Sequence, residues 1–307
     1  MLRSSAMKTA SGVFIRPWGD TVISTLAKAG GEILLGFLGA MHFKRWLTGI
    51  IAVPILIFVI GFAPRWLFYA MVFSAAVMAL GEFLGMAAPK LPAPAKALSF
   101  LFILFFFAFL AYGPFFLILA VLCLAVMALF ALYLFGYASR RAQAIEDVAS
   151  TALGLLYICL PLSLLLMIDK HPRGPLWIFF LLAVTFFNDT GAFYVGRSLG
   201  RHKLYPSISP GKTWEGAIGG ILSSILAAYV FSRFFTIYDF NWFIIVLASV
   251  LSVFGQVGDL AESMVKRLHG VKDSGKILPG HGGLLDRIDG LLFSVPVLYV
   301  FLTWSVR

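Results

Sequence analysis

Residues 98–135 read LSFLFILFFFAFLAYGPFFLILAVLCLAVMALFALYLF, thirty-eight positions without one charged side chain. As a single helix rising 1.5 Å per residue this stretch would be about 57 Å long, nearly twice a hydrocarbon core of ~30 Å. Gly113-Pro114 falls near its centre, where proline removes a backbone donor and ends a helix. The stretch therefore reads as two membrane helices joined in a tight hairpin, and it sets the class of the whole chain. The chain has 307 residues, of which 61% are hydrophobic and 12% charged. Its mean hydropathy is +0.95. Soluble domains run nearer ~45–50% apolar and ~25% charged, so two ordinary soluble domains are excluded and a polytopic, all-α integral membrane protein is expected.

Along the whole chain, nine apolar runs are long enough to cross: 47–63, 66–88, 98–112, 114–135, 148–168, 176–196, 217–237, 242–258 and 289–306. The 24 Lys and Arg against 14 Asp and Glu give a net charge of +10. With nine spans the loops alternate sides, and the basic residues concentrate on one face, above all in loops 197–216 and 259–288. The other face receives only Arg65, Lys170, Arg173, Arg233 and Arg307. The positive-inside bias then puts the N-terminus and the two rich loops in the cytoplasm, and nucleic acid is not needed to explain the charge. Residues 1–40 read as an N-terminal extension whose run from Ile33 to Met41 is too short to span, and a signal peptide is not expected, because the weakly basic beginning is not followed at once by an apolar core and small-residue cleavage site. Residues 41–168 supply the N-terminal membrane helices, and 169–307 the helices with the active-site loops. Cys123 and Cys159 lie in apolar runs and carry neither a disulfide framework nor a metal site.

Of the 14 acidic residues, eight lie between Asp189 and Asp289: Asp189, Glu215, Asp239, Asp259, Glu262, Asp273, Asp286 and Asp289. Carboxylates at a membrane boundary are costly unless paired, hydrated or bound to metal, so this clustering has a cause. If the run ending at Val257-Gly258 continues as helix to Arg267, Asp259, Glu262, Ser263 and Lys266 share one face. Asp286 and Asp289, three apart, share another at the start of the last span. Hard divalent cations such as Mg²⁺ take carboxylate oxygens and complete their shell with water or phosphate oxygens. Two acidic faces with Lys266, Arg267, Lys272, Lys276, His281 and Arg287 between them suit a metal-bound polyphosphate. A salt-bridged helix cap is the plainer alternative. Gly280-His281-Gly282-Gly283 allows backbone amides to approach an anion closely.

The other loop holds Ser209-Pro210-Gly211-Lys212-Thr213-Trp214-Glu215-Gly216. It is not a phosphate-binding Walker loop, because the glycine required five positions before Gly211 is replaced by Pro206. It reads as a hydroxyl-rich turn whose lysine and following helix N-terminus can hold phosphate. Gly216 and Gly220 form a G-x-x-x-G spacing suited to close helix packing, within the chain or between copies. Asp189 reads as a metal ligand, a partner of a substrate-holding lysine, or a structural carboxylate bonded to Thr190. Glu82, an isolated acid in the second span, has no sequence neighbour that suggests a role.

Taken together, Ser263-x-x-Lys266-Arg267, Lys272-Asp273 and Gly280-His281-Gly282-Gly283-x-x-Asp286-Arg287-x-Asp289 resemble the signature of the phosphatidate cytidylyltransferases. Asp189-Thr190 to Gly196-Arg197 and Ser209-Pro210-x-Lys212-Thr213-x-Glu215-Gly216 resemble it too, with Gly211 where lysine is more usual. The resemblance implies transfer of CMP from CTP to phosphatidic acid, giving CDP-diacylglycerol and pyrophosphate. It also implies Mg²⁺ dependence, with a second, monovalent cation left open, and a homodimer in the inner (plasma) membrane. It further implies Asp259 and Asp286 as metal ligands with Ser263 and Asp289 in support, and Lys266, Arg267, Lys212, His281 and Arg287 as phosphate holders. Asp189, Ser209, Thr213, Glu215, Lys272, Asp273, Lys276, Gly282 and Gly283 complete the implied substrate site. Two other readings compete: a secondary transporter, and a CTP-dependent transferase acting on another lipid phosphate. The first should show broken helices in both halves, whereas the polar chemistry here is confined to the last part of the chain. A CDP-alcohol phosphotransferase would carry a D-G-x-x-A-R run, which is absent.

Overall fold

The computed structural model describes residues 53–113, 117–136, 142–235, 240–275 and 282–305. A helix seen from residue 53 to 61 (α1) is followed by α2 (Arg65–Ala87), α3 (Ala93–Tyr112), α4 (Leu117–Gly136) and α5 (Ala144–Gly154). One π-helical turn, Leu155–Cys159, joins α5 to α6 (Leu160–Asp169). Then come α7 (Gly174–Leu199), the strands β1 (Lys203–Tyr205) and β2 (Ser209–Thr213), α8 (Trp214–Phe234), α9 (Trp242–Leu268) and α10 (Leu285–Ser305). Seven helices among the described residues are long and apolar enough to cross a membrane, with α5, the π turn and α6 forming one of them. The first expected span, 47–63, lies partly outside the described residues. The last expected span falls on α10.

Local chemistry explains the boundaries. Pro64 and Pro92 stand at the N-caps of α2 and α3, and Asn241 caps α9 by accepting from the amides of Phe243 (3.0 Å) and Ile244 (3.3 Å). α3 ends at Tyr112 and α4 begins at Leu117, so the decisive apolar stretch does fold as two helices packed on one another. Lys170 closes the far end of α3, its Nζ donating to the carbonyls of Leu110 (2.8 Å) and Ala111 (2.7 Å). Nearby, Arg65 of α2 pairs with Asp169 of α6 at 3.1 Å. Trp66, Trp214, Trp242 and Trp304 are exposed, and each sits within two residues of a helix end, as interfacial tryptophans do.

α7 and α8 are drawn together by small residues. Where Gly216 faces Gly196 and the Ala192 carbonyl, a Cβ would come within 2.8 Å of that oxygen. At Gly220 a Cβ would sit 2.6 Å from Asn188 Oδ1. The G-x-x-x-G spacing thus serves packing inside the chain. α9, 27 residues long, measures about 40 Å, so its charged end projects beyond a ~30 Å hydrocarbon core. The hairpin β1–β2 is an addition to the all-α expectation: the segment read as a turn pairs Lys203 with Thr213 and Tyr205 with Ser209.

Candidate active site

Four elements bring their polar residues to one end of the bundle: the β2 strand, the last turns of α9, the first turn of α10 and the later part of α7. α9 does continue past Gly258 as one helix, so Asp259, Glu262, Ser263 and Lys266 share a face as the spacing requires. Lys266 is held between two carboxylates, with Nζ 2.7 Å from Asp286 Oδ1 and in contact with Glu262 Oε2. Its side chain is only 13% exposed, Glu262 1% and Asp286 9%, so the triad is a desolvated ion cluster in which each charge depends on the others.

Asp286 does more than pair with lysine. Its Oδ2 accepts from the amides of Gly283 (2.8 Å) and Ser274 (3.0 Å), which makes it the anchor for the chain entering α10. Gly282 turns with φ of +82°, a left-handed geometry glycine adopts without strain, and this aims the Gly283 amide at Asp286. Lys212 reaches in from β2 to bind Asp259 at 2.8 Å, while Ser263 Oγ stands 3.4 Å from the other oxygen of Asp259. Asp189, Asp259 and Asp289, one from each of α7, α9 and α10, are close enough to repel one another.

Asp189 is fixed by a relay running across three helices. Asn188 Oδ1 accepts from Ser252 Oγ (2.6 Å) and Gln256 Nε2 (2.9 Å), so its Nδ2 is left to donate to Asp189 Oδ1 at 3.1 Å. Gln256 also donates to the Ala217 carbonyl at 3.0 Å. The alternative bond to Thr190 is not formed, because that hydroxyl donates to Phe186 O within α7.

Two residues expected at the substrate site work locally in this structure. Thr213 caps α8, its Oγ1 accepting from the Gly216 amide at 3.1 Å. Glu215 accepts from the amides of Arg201 (3.1 Å) and His202 (3.2 Å) and pairs with His202 Nδ1 at 2.6 Å, locking the end of α7 to the start of α8. Ser209 opens β2, and Arg267 joins α9 to the hairpin through Ile208 O at 3.3 Å. Lys272, Asp273 and Arg287 are exposed around the site. His281 and Lys276 lie outside the described residues. Among the described residues no three carboxylates or histidines already stand as a chelate. Asp259 and Asp286 instead hold lysine ammonium groups. Because Thr213 ends the strand that presents Lys212, Thr213→Val should cost about 1 kcal/mol of stability through the lost cap. The check is the thermal midpoint of the purified variant.

Glu82 overturns its reading as an isolated acid. From α2 it accepts from the amides of Leu284 (3.0 Å) and Leu285 (2.9 Å) and from Ser274 Oγ (3.1 Å). It is therefore the carboxylate that satisfies the N-terminus of α10 and ties it to the 272–275 loop. Gly275 and Gly283 lie against it so closely that a Cβ on either would collide.

A carboxylate and lysine cluster at one end of the membrane helices, beside a basic hairpin, defines a polytopic membrane protein with a polar site built into its bundle. Similarity to known proteins is specific about which kind. The model of the cytidylyltransferase family matches residues 43–305, and the chain belongs to that family. It is similar to the phosphatidate cytidylyltransferase of Bacillus subtilis, 35% identical over 264 residues, covering 84% of this chain and 97% of that protein. Staphylococcus epidermidis has a relative of the same name, 42% identical over 164 residues, or 53% of this chain. The aligned part spans 62% of that relative's length. A Staphylococcus aureus relative is 39% identical over 170 residues, 54% of this chain and 64% of its own.

Proposed function

We propose that the protein is a phosphatidate cytidylyltransferase, working in the inner membrane with its polar site open to the cytoplasm. The observation that carries this reading is the meeting of Lys212, Asp259, Lys266, Asp286 and Asp289 at one end of the bundle. An oxygen of the phosphatidic acid phosphate attacks the α-phosphorus of CTP. The bond from that phosphorus to the bridging oxygen breaks, and pyrophosphate leaves with the electron pair. The chain's task is positioning and charge neutralisation. Lys212 and Lys266 are placed to exchange a carboxylate partner for phosphate oxygens, and Arg267 and Arg287 add positive charge at the rim. Thr213 and Glu215 fix the strand that presents Lys212. The lipid reaches the site sideways with its tails in hydrocarbon, and CTP arrives from water.

The donor set fits Mg²⁺. Asp259, Asp286 and Asp289 are hard oxygen donors whose carboxylates share Lys266 or one another as charged neighbours, with the Ser263 hydroxyl on Asp259. Asp289 has the freer oxygens, accepting from the Gly290 amide of its own helix, and Asp259 would join by releasing Lys212. Asp286, whose oxygens already take Lys266 and two amides, would hold the ion only on releasing the lysine. Bound there, the ion would withdraw charge from the polyphosphate. The family resemblance supports a homodimer and leaves open a second, monovalent cation. Nucleic acid has no place in this reading. The test is conversion of radiolabelled CTP and phosphatidic acid by detergent-purified protein. Product is expected with Mg²⁺ and none with EDTA. No product from folded protein would overturn the reading, and activity only on prenyl or ether lipid phosphates would reassign the lipid.

A further inference from the structure

The π turn at Leu155–Cys159 has a cause in the sequence. Pro161 lies four residues after Tyr157, so in a regular α-helix the Tyr157 carbonyl would have no donor and would meet the proline ring. The chain widens by one residue instead, with the Leu160 amide bonding Leu155 O. Such an insertion turns the following helix face by about 100° and is frequent at functional sites. Here it places Tyr157 against the polar site. Its ring meets Phe83 and Phe293 edge-on at centroid distances of 6.1 and 5.9 Å. Phe83 adjoins Glu82, and Phe293 lies one helical turn beyond Asp289 on α10, so both neighbours lead to the acidic cluster. Gly154 seats the preceding turn tightly on Leu80 and Phe83, which leaves the ring little freedom.

At the end of this fixed ring is a buried hydroxyl with no hydrogen-bond partner among the described residues. Phe293, which the ring touches, lies one turn from Asp289 on the same face of α10, and the charges of Asp289, Glu262 and Asp259 all act on the hydroxyl. A buried phenol without a partner among the described residues, in the field of these carboxylates, can be satisfied by one of them that turns. Asp289 is the member free to do so: the bond it accepts comes from its own helix, Gly290 N to Oδ1 at 2.8 Å.

We propose that Tyr157 is the positioning residue for Asp289, its hydroxyl donating to the Asp289 carboxylate when that carboxylate turns to ligate a divalent cation. This rests on the metal-dependent reading above. A donor on the oxygen turned away from a metal fixes the ligand's orientation, and loss of such partners typically costs about 10–100-fold in affinity.

Tyr157→Phe removes only the hydroxyl, and the probe is Mn²⁺ alone, titrated by electron paramagnetic resonance into the full-length purified protein without nucleotide or lipid. The thermal midpoint of the metal-free protein should match wild type, because the hydroxyl bonds nothing among the described residues in that state. The Mn²⁺ dissociation constant should rise about tenfold, equal to about 1.4 kcal/mol. A dissociation constant within twofold of wild type would overturn the proposal. So would a lowered metal-free thermal midpoint, which would make the hydroxyl a structural group. Wild-type protein that binds no Mn²⁺ would instead remove the metal site itself, separating failure of the broader reading from failure of this one.

Discussion

Asp286→Asn is expected to lower turnover by about two orders of magnitude or more while the protein still inserts and folds. The change is nearly isosteric, but three consequences compound. The negative charge facing Lys266 disappears, leaving that ammonium with Glu262 alone. An amide NH₂ put in place of Oδ2 would confront the Gly283 and Ser274 amides donor to donor, so the entry to α10 loses its anchor. A hard oxygen ligand is also lost from the proposed metal site. The apolar spans are untouched, so insertion and detergent extraction should match wild type. The check is product formed per mole of monodisperse protein. Turnover above roughly a tenth of wild type would be too small a loss for a metal ligand.

Glu82→Ala should rank next in effect, although residue 82 lies about 200 positions from the residues it holds. Truncation strands two buried amides and the Ser274 hydroxyl, each costing about 1–3 kcal/mol when left unpaired in a site that is 7% exposed at Glu82. The start of α10 and the 272–275 loop then lose their common anchor, and Asp286 and Asp289 lose their fixed approach. Turnover is expected to fall at least about tenfold, with a lowered thermal midpoint and faster proteolysis within residues 269–275. Glu82→Gln keeps an acceptor oxygen and should fall between wild type and Ala. Wild-type proteolysis and turnover in Glu82→Ala would reduce Glu82 to a bystander.

Several local features are legible in the order of residues alone. The apolar runs mark spans because a helix of a given length either does or does not cross ~30 Å of hydrocarbon. The i, i+3, i+4 spacing puts Asp259, Glu262, Ser263 and Lys266 on one face because helical periodicity is a property of consecutive residues. The glycine spacing in α8 signals close packing but is silent about the partner, which is α7. The strand pairing of 203–213 is not legible in this way: Pro210 and Gly211 suggest a turn, and only the pairing of Tyr205 with Ser209 and Lys203 with Thr213 makes the segment a hairpin that presents Lys212.

The amino-acid order thus suffices for a membrane bundle, a charged end, and the residue types that meet polyphosphate and divalent metal. Its patterns report on neighbours within a turn or two. Which helices face one another is a matter of the folded chain. There Glu82 becomes the cap of α10, Asn188 the relay to Asp189, and Tyr157 a buried hydroxyl without a partner among the described residues. The reason is physical: a carboxylate on α2 and amides 202 and 203 residues later share no periodicity. They meet because close packing of apolar faces leaves each buried polar group one place to be satisfied.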